Sequence, residues 1–310
     1  MRRFAQFAWT VLGFNILVIL WGALVRATKS GEGCGNHWPL CNSTVVPHGA
    51  QIATLIEFTH RITTGIAFLS VVVMAVWAYR RHRQEPVWKA AAASLALIIT
   101  EALLGAGLVL FKFVGTDVSV GRVVYLSAHL INTLLMLAAM ALTAWWASGH
   151  RSVQSFRLHG GAVGPALVSA LAIAITGVIA ALSDTLYPVN SFLAGLRADF
   201  SATSPLLVKL RIWHPIIAIV AGAYIVFAIL RIDRAPLLRR CAIVLVGMEL
   251  AAGMLNLSLL TPVWMQLIHL LIADLLWIVV VLLGAAVLEE PRFSEPRGNR
   301  AIENTAVNLA

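Results

Sequence analysis

Eight apolar runs, each long enough to cross a lipid bilayer, dominate the sequence and constrain its fold. They lie roughly at 7–25, 55–79, 87–110, 124–146, 163–182, 208–230, 239–260 and 263–287. About 20 apolar residues span the hydrocarbon core as a helix, and lipid offers no partners to unpaired backbone groups. The chain is therefore predicted to be an all-α integral membrane protein. Its 12% content of charged residues excludes an ordinary soluble domain.

The positions of Lys and Arg predict the orientation. Fifteen of the 23 lie in the N-terminal segment, the tail and the loops between even and odd runs, and six lie in the opposite set of loops. By the positive-inside rule both termini are expected on the cytoplasmic side. The same rule explains the basic pI, so no nucleic-acid partner is expected. No transit or cleavable signal segment is recognised, which favours a bacterial cytoplasmic membrane.

The two halves of the chain resemble each other weakly, in the same direction. Glu101-xxx-Gly105 in the third run matches Glu249-xxx-Gly253 in the seventh, and three other pairs of runs share short motifs. We therefore predict two pseudo-symmetric four-helix bundles, at 1–150 and 151–288, related by an axis along the membrane normal. A flexible cytoplasmic tail is predicted at 289–310.

Four of the nine histidines lie inside apolar runs, and their predicted depths agree. They are His60, His129, His214 and His269, each near the start of an even-numbered run. Even-numbered runs pass from the outer to the inner side, so all four imidazoles are expected one to two helical turns below the outer surface. An ionisable side chain inside a membrane helix indicates function by default.

Paired histidines on facing helices of a bundle are the usual ligands of a haem iron. The pattern predicts two haem-sized sites, one at His60 and His129 and the other at His214 and His269. A metal site without a porphyrin is the weaker alternative, because two histidines leave coordination positions unfilled.

The two predicted sites differ in the residue three positions before the first histidine. Glu57 precedes His60, whereas Arg211 precedes His214. A buried carboxylate suits acid–base catalysis, and Arg211 and Arg61 suit haem propionates. This asymmetry predicts one reactive and one supporting site. The alternative is that Glu57 is an interfacial residue paired with Arg61 or Arg26. Glu101 and Glu249 are predicted to form structural bonds between helices.

Three cysteines are present, and two of them share the first outer loop. Because that loop faces an oxidising compartment, a Cys34–Cys41 disulfide is predicted, with two free thiols as the alternative. A zinc site is disfavoured, because neighbouring His37 would still leave it one ligand short.

Several stretches in this order resemble the haem A synthase family. They are GALVRATKSGEGCGNHWPLC at 22–41, EFTHRITTG at 57–65, AHLINTLLMLA at 128–138, WHP at 213–215 and IHLLIAD at 268–274. The first two stretches are specific and the others are short, but they fall in the right order, and the resemblance as a whole covers nearly all eight runs. The cysteine pair also matches, although residues 183–207 lack the second pair of some family members.

The resemblance implies an oxidoreductase that converts the C8 methyl of haem O to the formyl group of haem A for a terminal oxidase. It implies that Glu57, His60 and His129 form the substrate site, and that His214 and His269 hold haem b as cofactor. The expected partners are haem O, a haem O synthase, an electron donor or acceptor and the lipid membrane, and a homo-oligomer is allowed.

Two questions remain open at this point. If both His60 and His129 bind the substrate iron, water is the expected nucleophile with Glu57 as its base; if only one binds, O2 can be activated there. Rival functions are a di-haem membrane cytochrome that oxidises a quinol and a transporter. The cytochrome is disfavoured because its haems usually lie at different depths, and the transporter leaves the paired histidines unexplained.

Overall fold

The computed structural model describes residues 2–47, 51–83, 86–150 and 163–289. Its helices are α1 (Arg2–Ala27), α2 (Ile52–His82), α3 (Pro86–Leu110), α4 (Val120–Ala147), α5 (Val163–Leu186), α6 (Phe192–Phe200), α7 (Leu206–Arg211), α8 (Trp213–Leu230), α9 (Pro236–Ser258) and α10 (Val263–Val287). Eight spans, with α7 and α8 forming one, are long and apolar enough to cross a membrane. Within the described ranges the only β pairing is an isolated bridge between Cys41 and Thr44. The prediction of an all-α integral membrane protein is confirmed.

The sixth span is interrupted, where the sequence pattern predicts one continuous helix. α7 ends at Arg211 and α8 begins at Trp213. Pro215 lies in the first turn of α8, where it lacks the N–H that would bond the carbonyl of Arg211 and its ring crowds that carbonyl. The break places Arg211 at the end of one short helix and His214 in the first turn of the next.

Local residues explain other helix ends. α3 begins at Pro86 and α9 at Pro236, and proline is preorganised for the first helical turn. Ser119 caps α4 by accepting a hydrogen bond from the backbone N–H of Arg122, and Ser191 caps α6 in the same way. α6 is a short helix in the loop after α5 that the sequence pattern does not predict. The predicted flexible tail lies outside the described residues from position 290 onward, and the predicted boundary at 150–151 falls where the described range 86–150 ends.

The helices pack as two four-helix groups that share a face. In the first, α1 contacts α2 and α4, and α3 contacts α2 and α4; in the second, α5 and α9 each contact α8 and α10. α4 and α10 are the main contacts between the groups. There the indole N–H of Trp277 donates to the carbonyl of Leu134 at 2.7 Å. The pseudo-two-fold axis and the sidedness in the membrane stay predictions.

Candidate functional site

All four predicted histidines lie near the start of their spans, on α2, α4, α8 and α10. Consecutive spans run in opposite directions, so these positions share one end of the protein. We call it the outer end; it carries the loops that follow α1, α3, α5 and α9. The predicted equal depth of the four rings therefore agrees with the helix bounds.

Each histidine ring packs against a glycine of the preceding span. A methyl group on Gly22 would lie 3.0 Å from Cε1 of His60, and one on Gly177 would lie 3.2 Å from Cε1 of His214. The corresponding distances are 4.0 Å for Gly105 with His129 and 3.3 Å for Gly253 with His269. A side chain at three of these positions would press on the ring, so these glycines set where the rings lie.

A glutamate one turn from the glycine also contacts the ring in two of these pairs. Glu101 Oε1 lies 3.3 Å from Nδ1 of His129, and Glu249 Oε1 lies 3.2 Å from Nδ1 of His269. Glu101 also accepts hydrogen bonds from the Asn132 amide at 2.6 Å and from the Thr133 hydroxyl. The predicted hydrogen bonds between helices are present for Glu101, whereas Glu249 makes a close contact with His269 without a hydrogen bond among the described residues.

The second histidine pair has the spacing that a haem iron requires. The ring centres of His214 and His269 are 6.3 Å apart, with an angle of 72° between the ring planes. Metal–imidazole bonds are about 2 Å long and the bonded nitrogen lies about 1 Å from its ring centre, so imidazoles on opposite sides of one iron have centres roughly 6 Å apart. His214 Nδ1 contacts the Thr176 hydroxyl at 3.3 Å. Such contacts at Nδ1 leave Nε2 for the metal.

The rings of the first histidine pair interact electrostatically, and one of them is partly accessible. His60 and His129 are close enough to interact electrostatically, and Nδ1 of His60 is buried without a hydrogen-bond partner among the described residues. The His129 side chain keeps 27% of its surface accessible and that of His269 keeps 22%, which leaves ring surface for a ligand to cover. Across the described ranges no group of three or more His, Cys, Asp or Glu is placed to hold a bare metal ion.

Glu57 joins the first site to the outer loop that precedes α2. Its carboxylate is 3% exposed, and Oε2 accepts a hydrogen bond from the backbone N–H of Cys34 at 2.8 Å. Arg61 donates to Oε1 from Nε at 3.2 Å and from Nη2 at 2.5 Å, and its Nη1 donates to the carbonyls of His37 and Leu40, both at 2.6 Å. The predicted Cys34–Cys41 disulfide is present in this loop. Glu57 and Arg61 thus hold the loop against α2.

Arg211 joins the second site to its own outer loop. Its Nε donates to Asp199 at 2.6 Å, Nη1 donates to Asp184 at 3.2 Å, and Nη2 donates to the carbonyl of Gly195 at 3.1 Å. Asp199 and Gly195 belong to α6, so Arg211 fastens that helix over the second half. Both arginines predicted to meet propionates are therefore already paired with carboxylates.

Sequence reasoning missed the roles of two charged residues. Arg26, at the end of α1, reaches into the second half and donates to Ala181, Thr185 and Gln266. Asp274 of α10 is 1% exposed, and neither carboxylate oxygen has a hydrogen-bond partner among the described residues. A charge at the end of a span and an aspartate inside the apolar stretch IHLLIAD are signals that could have drawn attention to them.

A match to a protein-family model shows which family the chain belongs to. The model described as cytochrome oxidase assembly protein (COX15-CtaA) matches residues 5–281, which include all four histidines and Glu57. The chain belongs to this cytochrome oxidase assembly family.

Curated relatives of this family member match it over different lengths. A "Protoheme IX farnesyltransferase" of Thermus thermophilus is 46% identical over 299 residues, which cover 93% of this chain and 49% of that protein. "Heme A synthase" of Shouchella clausii is 46% identical over 97 residues, or 31% of this chain and 32% of that one. "Heme A synthase" of Bacillus mycoides is 38% identical over 114 residues, which cover 36% of each chain. The chain spans about half the length of the Thermus relative.

Proposed function

We propose that this chain is a haem A synthase, a membrane oxidoreductase that converts the C8 methyl of haem O to a formyl group. The observation that carries the proposal is the recurrence of one arrangement at four histidines: an imidazole of an even span seated on a glycine of the preceding span. Two such histidines in each half provide two haem-sized sites at one depth. The names of the heme A synthase relatives support the same activity.

His214 and His269 would hold the resident haem b, whose iron transfers single electrons when bound. Glu249 Oε1 lies 3.2 Å from Nδ1 of His269, and the Thr176 hydroxyl lies 3.3 Å from Nδ1 of His214. Carboxylate and hydroxyl partners of this kind select the tautomer whose Nε2 lone pair faces the metal. The protein's own contribution at this site is to fix both rings.

His60 and His129 would hold the substrate, haem O. Two successive hydroxylations of the methyl carbon, each removing two electrons, give a geminal diol that loses water to become the aldehyde. Glu57 lies one turn from His60, and we propose that it serves this site as the base that accepts a proton from water. Because Arg61 and Cys34 occupy both of its oxygens, this role requires that one of these bonds exchange for the water.

A farnesyl transferase is the proposed supplier of the substrate. Sequence similar to this chain makes up about half of a Thermus protein named for farnesyl transfer to protohaem IX. An enzyme that releases an apolar prenylated haem into a membrane benefits from a neighbour that consumes it. We place the protein in the bacterial cytoplasmic membrane with the haem sites toward the outer face, and an electron donor or acceptor completes the reaction.

Extraction of the bound haems tests the proposal directly. The purified protein, produced with and without haem O in the host, is extracted with acidified acetone and the haems are separated and identified by mass. We expect haem b in both preparations, and haem O, its hydroxylated form or haem A only where haem O is made. Absence of any haem would overturn the proposal.

A di-haem electron-transfer cytochrome is the second candidate, since the paired imidazoles alone suit it equally. It predicts haem b at both sites, whatever the host makes.

Isotope labelling separates the two hydroxylation routes left open by the sequence. The source of the formyl oxygen is traced with labelled water or labelled O2, with correction for exchange of the aldehyde oxygen.

A further inference from the structure

Arg26 belongs to the first half by sequence but is bound by the second half. Its Nη1 donates to the carbonyl of Ala181 and to the hydroxyl of Thr185, both at 2.9 Å, and Nη2 donates to Gln266 Oε1 at 3.0 Å. These partners lie on α5 and α10, which carry no other contact of this kind with α1 among the described residues. The guanidinium therefore has a fixed position between the halves.

That position lies one helical turn outward from the second histidine pair. Ala181 follows by four residues the Gly177 on which His214 is seated, and Gln266 precedes His269 by three. One turn of helix corresponds to about 5.4 Å along the axis. The guanidinium is thus placed on the outer side of both rings, on the faces of α5 and α10 that carry the site.

Two arginines at the outer end are already paired with carboxylates, whereas Arg26 and Arg122 bond only neutral oxygens; of these two, Arg26 is the one bound by α5 and α10 of the second half. Arg61 is paired with Glu57, and Arg211 with Asp184 and Asp199. Asp184 is near enough to interact electrostatically with Arg26, but its hydrogen bond goes to Arg211. The three bonds of Arg26 all go to neutral oxygens, and within the described part of the chain no carboxylate pairs with it.

Arg26 also has hydrogen-bonding capacity left over. A guanidinium has five N–H donors, and the three bonds described use three of them. A cation taken out of water is costly unless an anion accompanies it. A haem carries two carboxylates at one edge of its ring, and arginine binds carboxylates in a planar, two-pronged geometry.

We propose that Arg26 binds a propionate carboxylate of the haem held by His214 and His269, in place of the arginines that sequence position suggests. The first half thereby contributes a ligand-binding residue to the site of the second half. This inference rests on the proposed function, because it requires a haem at that pair.

The test compares variants of the haem-loaded protein in detergent. Arg26→Gln removes the charge but keeps an amide, Arg26→Lys keeps the charge, and Thr185→Val weakens the bridge between the halves without changing any charge. Arg197→Gln is the matched control, because it removes an exposed outer arginine from α6. Two quantities are measured: the rate at which haem b transfers to excess apomyoglobin, and the midpoint potential of the haem that remains.

Arg26→Gln is expected to release haem b at least tenfold faster than the wild type, with a more negative midpoint potential because the propionate charge is no longer balanced. Arg26→Lys should stay within about threefold of the wild-type rate, and the Arg197 and Thr185 variants should keep the wild-type potential. Unchanged release and potential in Arg26→Gln would overturn the inference. Equal losses in Arg26→Gln, Arg26→Lys and Thr185→Val would also overturn the inference. They would mean that Arg26 only links the two halves and does not bind a propionate. A wild type without haem b would instead defeat the proposed function.

Discussion

The two halves hold their outer loops with opposite chemistry at one equivalent position. Three residues before the first histidine, the first half has the acceptor Glu57, which takes a backbone N–H of the disulfide loop. The second half has the donor Arg211, which gives hydrogen bonds to the carboxylate of Asp199 and the carbonyl of Gly195 in α6. The comparison shows that the residue three positions before the first histidine can be either a hydrogen-bond acceptor or a donor, provided that the outer loop supplies the matching group.

The loops differ in how they are built, as well as in how they are held. The first loop is closed by the Cys34–Cys41 disulfide and a tight bridge between Cys41 and Thr44. The loop after α5 has no such link and is organised by the helix α6 instead. The short covalent ring offers backbone groups to Glu57 and Arg61, whereas α6 offers one carboxylate and one backbone carbonyl to Arg211.

Removing one histidine from each pair should give the largest difference between the two sites in haem b content and haem A formation. We expect His269→Ala to reduce extractable haem b at least tenfold, because one of the two histidines proposed to hold that haem is lost. His129→Ala should keep haem b near the wild-type level and abolish haem A formation. Chromatography of the acid-acetone extracts measures both.

His82→Ala is not a suitable control, since that ring packs against Phe4; exposed His37 in the first outer loop is suitable. Loss of haem b in both His129→Ala and His269→Ala, with His37→Ala unaffected, would remove the distinction between a substrate site and a cofactor site.

Substitution of the loop-holding residues should show which half depends more on its ion pairs. Arg211→Met leaves Asp184 and Asp199 without their cation, and breaking a buried pair costs about 3–5 kcal/mol. Glu57→Gln should cost less, since Arg61 keeps two carbonyl acceptors and the new amide oxygen can still accept from Cys34 N–H. Thermal unfolding of the two variants, followed by circular dichroism in one detergent, gives the order.

The order would be contradicted if Glu57→Gln melted at the lower temperature.

Glu57→Gln also tests the proposed role of Glu57 as a base, because an amide cannot accept the proton. Haem A formation should fall at least a hundredfold while extractable haem b is kept.

The fold was largely predictable, since apolar runs report bilayer spans directly and the histidines stand out against an apolar background. The Glu57–Arg61 pair, given above as the alternative role of Glu57, and the Cys34–Cys41 disulfide are present as well, but the contacts between distant segments were not predictable. Arg26 and Gln266 are 240 residues apart, so their contact depends on how α1 meets α10, which no local pattern encodes. The same holds for Glu57, whose position suggested chemistry but whose partner Cys34 lies in a preceding loop. Pro215 carried a readable signal for the break in the sixth span, because proline disrupts the preceding helical turn.

The effect of replacing a ring-contacting glycine by alanine should increase as the added methyl group comes closer to the histidine ring. Gly22→Ala places a methyl group 3.0 Å from the His60 ring, whereas Gly105→Ala places one 4.0 Å from that of His129. We expect Gly22→Ala to lower haem A formation several-fold and Gly105→Ala to have little effect. In the second half, Gly177→Ala should reduce haem b content by about half or more.

Gly247→Ala is the matched control for helix propensity, because nothing lies within 4 Å of its added methyl group. Equal effects at Gly247 and Gly177 would mean that the loss of glycine from the helix, rather than contact with His214, is responsible.

Loss of the disulfide should have the smallest effect and should stay within the first half. A ring this short in sequence stabilises a fold by about 2.5 kcal/mol when its closure entropy is counted, and Glu57, Arg61 and Thr54 still hold the loop by hydrogen bonds. In Cys34→Ser/Cys41→Ser we therefore expect a modest fall in melting temperature, slower haem A formation and unchanged haem b content. Cys241→Ser, which changes the free thiol on α9, is the control. Loss of haem b in the double variant but not in Cys241→Ser would show that the first loop supports the second site, and the two halves would then have to be treated as one cooperative unit.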